Sequence, residues 1–374
     1  MDLLIVGASA RAAAHSARRA DLRPASIDLF ADADTHAAGP TSCVEMSTYP
    51  ESLFDASLDA VDGPFLYTGA LENHPDVVDR IAATRPLWGN PGATLRAARD
   101  PSRVVQALTA RGLSAPEVRL APGGLPADGS WLAKPLRSAG GRRIHPYRGV
   151  TPPWPAVYQR RLPGPSLAAI FIGRDHVARL MGVTAQVLGG EHGFTYRGSV
   201  GPLSISSSLD VQIAAIGDAL ASAFDLVGLF GVDLILADGV PVPVEVNPRY
   251  TASVEVLELA TGRSLLAEHA RAFGWTTHAI EPGRRRPSGV VGKRALHAEA
   301  PLVVPEALAR RGRYVGWAVP SLADVPRAGT RVEAGQPVMT LLGRGATVES
   351  CLERLRAREA RWRHRLAVID DRSC

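Results

Sequence analysis

Short apolar runs alternate with helix-like stretches over the first ninety residues. The apolar run at residues 3–6 is followed by an alanine- and arginine-rich stretch with helical spacing, and then by a second apolar run at residues 26–30. A helix between two such runs predicts a β-α-β unit whose strands are parallel. A further strand pattern at residues 65–69 and a helix pattern at residues 75–84 complete a predicted small α/β domain.

The middle of the chain is richer in strand patterns. Asp100 precedes a proline and a helical stretch, which predicts a capped helix up to Arg111. Residues 131–135 predict a short strand, which a small-residue loop at 138–141 follows. Further strand patterns lie at 157–159, 168–172 and 177–187, and residues 210–224 have helical spacing.

Two apolar strands with a tight turn between them carry the first candidate site. Residues 228–236 and 240–246 flank an Ala-Asp-Gly turn, so an antiparallel hairpin is predicted. Glu245 and Asn247 are two residues apart and therefore share a face, and Asp233 lies on the other strand. Three hard oxygen ligands on one face suit Mg²⁺ bridging substrate phosphates. The alternative is an amphipathic hairpin with a solvated polar face.

Two basic residues are candidates for binding anions. Lys134 is the first of only two lysines in the chain and precedes the small-residue loop, where backbone N–H groups can surround phosphate oxygens. Its alternative is a surface lysine beside a turn. Arg249, between Pro248 and Tyr250, has the fork geometry to hold a carboxylate or an acyl phosphate, or else forms a surface ion pair.

These motifs together resemble the ATP-grasp superfamily. The resemblance rests on residues 131–141 and on residues 231–249, where the E-x-N-P-R pattern at 245–249 is similar to the carboxylate-amine ligase and biotin-carboxylase branches. It implies an α/β and α+β fold. The expected parts are a Rossmann-like pre-ATP-grasp domain (1–95), an ATP-grasp domain of two α+β subdomains (96–281, with a lid at about 128–162) and a small β-rich C-terminal lobe (289–374), with a linker at 282–287.

The resemblance also implies roles for individual residues. Lys134 would contact ATP phosphates, Arg249 would steady the acyl-phosphate end of the substrate, and Asp233, Glu245 and Asn247 would hold Mg²⁺ or Mn²⁺. The other nucleotide-binding residues implied are Ser138, Gly140 and Gly141 in the lid and Tyr158, Gln159, Arg160 and Leu162 in the hinge beside adenine. Many members have a lysine shortly after the position of Asp100 and a glutamate in the hinge, where this chain has Arg103 and Gln159 to Arg161.

The implied activity is ATP- and Mg²⁺-dependent joining of a small-molecule carboxylate to an amine through an acyl phosphate. The whole-chain pattern also resembles ATP-grasp proteins encountered beside one-carbon cofactor biosynthesis, and homodimer formation is a further expectation. Three alternatives stay open. They are a carboxylase that activates bicarbonate, an NAD(P)-binding oxidoreductase that uses Gly7 and Asp28, and a nucleotide-binding regulatory protein without turnover.

Composition limits the cellular compartment and the classes of binding partner that are expected. The net charge is +5, but the arginines are scattered and accompany no nucleic-acid-binding module, so nucleic acid is not expected. The three cysteines lie far apart without a C-x-x-C pair, which suits a reducing compartment such as the cytoplasm. No apolar run is long enough to span a membrane, and P-loop, α/β-hydrolase and zincin motifs are absent from the sequence.

Overall fold

The computed structural model describes residues 1–276 and 289–370, so the predicted linker at 282–287 lies outside the described residues. The strands in chain order are β1 (Asp2–Val6), β2 (Arg23–Asp28), β3 (Thr41–Cys43), β4 (Phe65–Tyr67), β5 (Val118–Arg119), β6 (Trp131–Pro135), β7 (His145–Pro146), β8 (Ala156–Arg160), β9 (Ser166–Arg174), β10 (Val177–Gly189), β11 (Thr195–Gly201), β12 (Gly228–Ala237), β13 (Val240–Asn247), β14 (Val290–His297), β15 (Leu302–Val303), β16 (Leu322–Ala323), β17 (Arg331–Val332) and β18 (Pro337–Gly345).

Helices cover the sheets and connect their strands. In chain order they are α1 (Arg11–Arg19), α2 (Ala33–Ala38), α3 (Ser52–Leu58), α4 (Pro75–Ala82), α5 (Gly92–Ala98), α6 (Pro101–Thr109), α7 (Ser207–Phe224), α8 (Ala252–Thr261), α9 (Leu265–Ala272), α10 (Glu306–Ala309) and α11 (Val348–Asp370), with a 3₁₀ turn at Leu71–Asn73.

The first sheet confirms the predicted β-α-β unit. Its strand order is β3-β2-β1-β4, and all of its neighbouring strands are parallel. The strands supply buried aliphatic and aromatic side chains, and α1 covers one face with alanines. At the end of β1, a Cβ on Gly7 would lie 2.1 Å from Thr68 Oγ1, so glycine permits the close approach of the two chain segments.

A large antiparallel sheet forms the centre of the molecule. Its order is β13-β12-β9-β10-β11-β14-β18-β16, and the predicted hairpin β12–β13 occupies one edge. Phe171 of β9 stacks on Phe230 of β12 with ring centroids 5.0 Å apart, beneath α7. Strands from residues 290–345 continue this sheet, whereas only β15 and β17 pair separately. The C-terminal part is therefore joined to the preceding part of the chain through backbone hydrogen bonds.

The predicted lid is a small four-stranded sheet, with the order β5-β8-β6-β7. It has a core of its own, in which Trp131, Tyr147 and Tyr158 are buried. The sheet also takes in β5, which lies before the predicted start of the lid near residue 128. The predicted lid is consequently anchored by pairing of β5 with β8.

The C-terminal helix α11 extends over 23 residues, from Val348 to Asp370. Glutamate–arginine pairs along it, such as Glu359 with Arg363 at 2.8 Å, are of the kind that supports an exposed helix. Across residues 1–276 and 289–370, no helix has both the length and the apolarity needed to cross a membrane.

Candidate active site

A cavity of about 490 Å³ lies between the three larger sheets, and each contributes to its wall. The first domain supplies Thr68 and Gly69, and the predicted lid supplies Gly140 and Gly141. The hairpin supplies the polar residues predicted for metal binding, Asp233, Glu245 and Asn247. The two sequence motifs and the first domain thus meet at one site.

The two hairpin carboxylates are direct neighbours in this cavity. Asp233 pairs with Glu245 across the strands, a β-bulge follows Asp233, and the Asn247 amide nitrogen lies 3.4 Å from an Asp233 carboxylate oxygen. Burial and the adjacent Glu245 raise the pKa of Asp233 to about 7. Burial opposes ionisation of Glu245 as well, but Arg99 and Lys134 outweigh it and hold the pKa of Glu245 below its ordinary value.

This donor set fits a magnesium nucleotide. The described chain contains no group of three or more His, Cys, Asp or Glu side chains that could hold a metal, and the site offers two carboxylates and one amide instead. Mg²⁺ bound to nucleotides typically takes one or two carboxylates and completes its shell with phosphate oxygens and water. A divalent cation would also relieve the repulsion that raises the pKa of Asp233.

Lys134 is half-buried at the cavity wall, which rules out the alternative of a surface lysine. Its Nζ donates to Gln159 Oε1 at 3.0 Å and to the Val244 carbonyl at 2.9 Å. Burial lowers its pKa. Both hydrogen-bond partners are neutral, and Glu245 and Asp233 balance the ammonium charge only at longer range, so this charge remains available to a phosphate group.

Arg249 is held by an ion pair that the sequence does not predict. Its guanidinium donates to Glu72 Oε1 at 2.5 Å and to Asn247 Oδ1 at 3.0 Å. Glu72 is buried, and among the residues that the structure describes neither its second carboxylate oxygen nor Arg249 Nε has a hydrogen-bond partner. Burial by itself would lower the pKa of Arg249, but the attraction of Glu72 exceeds this effect and raises the pKa. The guanidinium therefore stays charged beside the cavity.

The remaining residues implied by the resemblance are placed differently. Gly140, Gly141, Gln159 and Leu162 line the cavity. Away from it, Tyr158 is buried in the lid core against Tyr147, and the Arg160 side chain is exposed. The Ser138 side chain lies outside the cavity, and its carbonyl accepts hydrogen bonds from Asn73 and Arg99. The nucleotide-binding roles of these seven residues remain predictions. The side chains of Tyr158, Arg160 and Ser138 do not line the cavity, so these three residues could contact a nucleotide there through their backbone.

Arg99 is a candidate site residue that sequence reasoning misses. Its guanidinium donates to Glu245 Oε1 at 2.7 Å and to Asn73 Oδ1 at 3.0 Å, which links the candidate metal site to the first domain. Arg103, which stands nearer the position of the family lysine, lies over the Phe224 ring at 6.0 Å instead. The only signal in the sequence was a basic residue directly before the helix cap at Asp100.

The structure contradicts the alternative role of Asp28 in NAD(P) binding. Its carboxylate is fully buried, and it accepts hydrogen bonds from the backbone N–H groups of Ala10, Phe30 and Ala31. These bonds take three of its roughly four acceptor sites, and full burial keeps a ribose hydroxyl from the fourth. Asp28 is therefore a structural residue that ties the end of β2 to the start of α1.

Comparison with known proteins agrees with this geometry. Residues 98–253 match the family model described as an ATP-grasp domain. An uncharacterised protein of Methanocaldococcus jannaschii is 23% identical over 215 residues, which are 56% of this chain and 49% of that protein. The chain thus spans about half the length of this curated relative.

Solved structures share the fold over nearly the whole chain. N5-carboxyaminoimidazole ribonucleotide synthetase from Thermus thermophilus is 18% identical with a TM-score of 0.69, covering 96% of this chain and 98% of that one. L-amino acid ligase from Bacillus licheniformis is 16% identical with a TM-score of 0.67, covering 96% and 97%. At such low identity these likenesses establish the architecture alone. The chain therefore contains an ATP-grasp domain at residues 98–253 and has the fold of the ATP-grasp superfamily.

Proposed function

We propose that this protein is an ATP- and Mg²⁺-dependent ligase that activates a carboxylate as an acyl phosphate and joins it to an amine. The observation that carries the proposal is the convergence of Asp233, Glu245, Lys134 and Arg249 on one cavity of an ATP-grasp domain. Two anions for a metal, one ammonium group and one guanidinium are the groups that phosphoryl transfer to a carboxylate needs.

The proposed reaction has two steps. A carboxylate oxygen of the substrate attacks the γ-phosphorus of ATP, and the bond to the leaving ADP breaks. The amine nitrogen then attacks the carbonyl carbon, inorganic phosphate leaves, and the nitrogen loses a proton to give the amide. Neither step requires a redox partner.

The residues of this chain position and neutralise charge during both steps. Bound Mg²⁺ would supply charge neutralisation at the β- and γ-phosphates. Lys134 directs an ammonium group, held by Gln159 and the Val244 carbonyl, to the phosphate end of the cavity. Arg249 is aligned by Glu72 and Asn247 to bind the carboxylate or its phosphate ester.

Trapping of the acyl phosphate tests the proposal without knowledge of the amine. The full chain is incubated with ATP, MgCl₂, pooled carboxylic acids and hydroxylamine, and ADP and hydroxamates are measured by mass spectrometry. Hydroxylamine replaces the amine, so acid-dependent ADP release with a hydroxamate of one acid is the expected result. ADP release that requires bicarbonate and gives no hydroxamate would support the carboxylase alternative instead.

Variants of the hairpin carboxylates provide the second arm. Asp233→Asn and Glu245→Gln should each lower ADP formation at least 100-fold, because each removes a charged metal ligand at constant size. Asp238→Asn, in the exposed turn of the same hairpin, is the matched control and should keep wild-type turnover. Wild-type turnover in both carboxylate variants would contradict the proposal.

A further inference from the structure

Positive charge is concentrated in two parts of the chain. Residues 117–162, which include the small sheet of the predicted lid, contain eight basic and two acidic residues and have a formal charge of +6. Residues 289–374 also carry +6, whereas residues 1–116 carry −4 and residues 163–288 carry −3. Because the segment 117–162 is the shortest of the four, its charge per residue is the highest.

Most of the charge of the predicted lid lies in arginines that no acidic side chain neutralises. Arg119 pairs with Glu117 at 2.8 Å, and Arg148 donates to the Asp128 carbonyl at 2.8 Å. Five others are exposed and have neither an ion pair nor a side-chain hydrogen bond to any residue that the structure describes. We call them the lid arginines: Arg137, Arg142, Arg143, Arg160 and Arg161. Their charges therefore produce a positive field in the surrounding solvent.

The lid arginines lie beside the cavity in the chain and in space. Residues 139–141 line the cavity, and Arg137 and Arg142 stand just before and just after them in the chain. Arg161 itself lines the cavity and lies over the Phe194 ring at 5.9 Å. An anion that approaches the cavity past this loop is therefore attracted before it enters.

Two half-buried histidines close to this loop are affected by the same field. Burial lowers the pKa of His74, and the nearby charge of Arg137 lowers it further. Burial likewise lowers the pKa of His297, and Arg197 and Arg142 add to the effect. His74 belongs to the first domain and His297 to the C-terminal part, so the positive field reaches beyond the predicted lid in two directions.

We propose that the lid arginines steer nucleotide polyphosphates into the cavity and so accelerate their association. A field of one sign beside a cleft raises the association rate constant of oppositely charged ligands, by about 10- to 1000-fold in strongly charged cases. Arg137, Arg142 and Arg143 do not line the cavity, so they act at a distance and change association rather than dissociation. The inference rests on the nucleotide binding of the proposed function, but not on acyl transfer.

Stopped-flow fluorescence of the full chain with N-methylanthraniloyl (mant) nucleotides and MgCl₂ measures association and dissociation separately. The test variant combines Arg137→Gln, Arg142→Gln and Arg143→Gln. At about 20 mM salt it should associate with mant-ATP about threefold to tenfold more slowly than the wild type, with a dissociation rate constant within about twofold. At about 500 mM salt the difference should vanish, since the Debye length falls to about 4 Å.

The charge of the ligand gives a second measure on the same proteins. The slowing should decrease from mant-ATP to mant-ADP to mant-AMP, because the attraction is proportional to the charge of the ligand. Contact with a particular phosphate group would instead change the dissociation rate constant of those nucleotides that contain it.

Three arginines of the other basic part provide the matched control. Arg356, Arg361 and Arg365 of α11 are exposed, and none of them lines the cavity. Their combined exchange for glutamine removes as much charge from the chain as the test variant does. It should leave mant-ATP association within about 1.5-fold of the wild type at low salt, because these charges are not beside the cavity.

Three results would refute the inference. They are an association rate constant of the wild type that does not depend on salt, equal slowing in the two triple variants, and a change in dissociation alone. The salt series on the wild type needs no variant, so it decides the question even if the test variant fails to fold.

The outcomes are separate from those of the ligase proposal. A protein that forms an acid-dependent hydroxamate but associates with mant-ATP at a salt-independent rate retains only the ligase function. A protein in which mant-ATP association depends on the lid arginines, but which never forms a hydroxamate, retains only this steering surface.

Discussion

The only two lysines of the chain, Lys134 and Lys293, line the same cavity and have opposite surroundings. The first donates to an amide oxygen and a backbone carbonyl, whereas the second forms an ion pair with Glu255 at 3.2 Å. Lys134 therefore keeps its positive charge for a ligand, and Lys293 has most of its charge neutralised within the fold.

This difference shows that burial of a cation does not by itself indicate function. Lys293 is 8% exposed, and Glu255, its partner, is also held by Arg11. Such a pair contributes to a structural network. Among the residues that the structure describes, Lys134 has no carboxylate within ion-pair distance. Burial lowers its pKa, and the longer-range attraction of Glu245 and Asp233 offsets this effect only in part. A desolvated cation with neutral partners gains most when an anion arrives.

Exchange of each lysine for glutamine should separate the two roles and give the largest effect. Lys134→Gln should reduce acid-dependent ADP formation about 10²–10³-fold, because it removes a charged donor from the transferring phosphate. The free energy of unfolding should change little. Lys293→Gln should lower the free energy of unfolding by about 1–3 kcal/mol, because Glu255 loses a charged partner in a buried site.

Urea denaturation and the hydroxamate assay on the same preparations measure both quantities. The contrast between the lysines would be wrong if Lys293→Gln lost as much turnover as Lys134→Gln while remaining as stable as the wild type.

The pH dependence of nucleotide binding tests the ionisation state of Asp233, one of the two carboxylates of the predicted metal site. The pKa of Asp233 is raised to about 7, and only the ionised carboxylate binds a metal. The affinity for Mn²⁺-ATP should therefore fall as the pH falls through 7, by about tenfold between pH 8 and pH 6. Asp233→Asn should bind more weakly and lose this component of the pH dependence, which fluorescence titration at both pH values measures.

Much of the fold follows from local sequence patterns, and much of the site does not. The hairpin with Asp233 and Glu245 was predictable, because strand alternation and a tight turn determine which side chains share a face. The contact of Arg99 with Glu245 spans 146 positions, and no local period indicates it. The addition of β14 and β18 to the large sheet is equally non-local.

Strand β8, the predicted hinge, shows at two neighbouring positions what the sequence alone could not determine. Successive side chains of β8 point to opposite faces, so only one of the predicted residues Tyr158 and Gln159 could face the cavity. The sequence has an aromatic and a polar residue at these positions but does not indicate which of the two faces the core of the predicted lid. In the structure Tyr158 fills that core, and Gln159 turns toward Lys134.

Replacement of Gln159 by glutamate would give Lys134 the kind of partner that Lys293 has. Gln159 is buried, and its Oε1 lies 3.0 Å from Lys134 Nζ, so Gln159→Glu converts a neutral hydrogen bond into an ion pair at nearly constant size. A neutralised lysine attracts phosphate less, and we expect the affinity for MgATP to fall by roughly threefold to tenfold, which corresponds to about 0.7–1.4 kcal/mol. The effect is smaller than that of Lys134→Gln because the ammonium group remains.

Fluorescence titration with MgATP measures the change in affinity, and Gln106→Glu on the exposed face of α6 is the control for added negative charge. An unchanged affinity in Gln159→Glu would mean that the neutral surroundings of Lys134 are incidental to nucleotide binding.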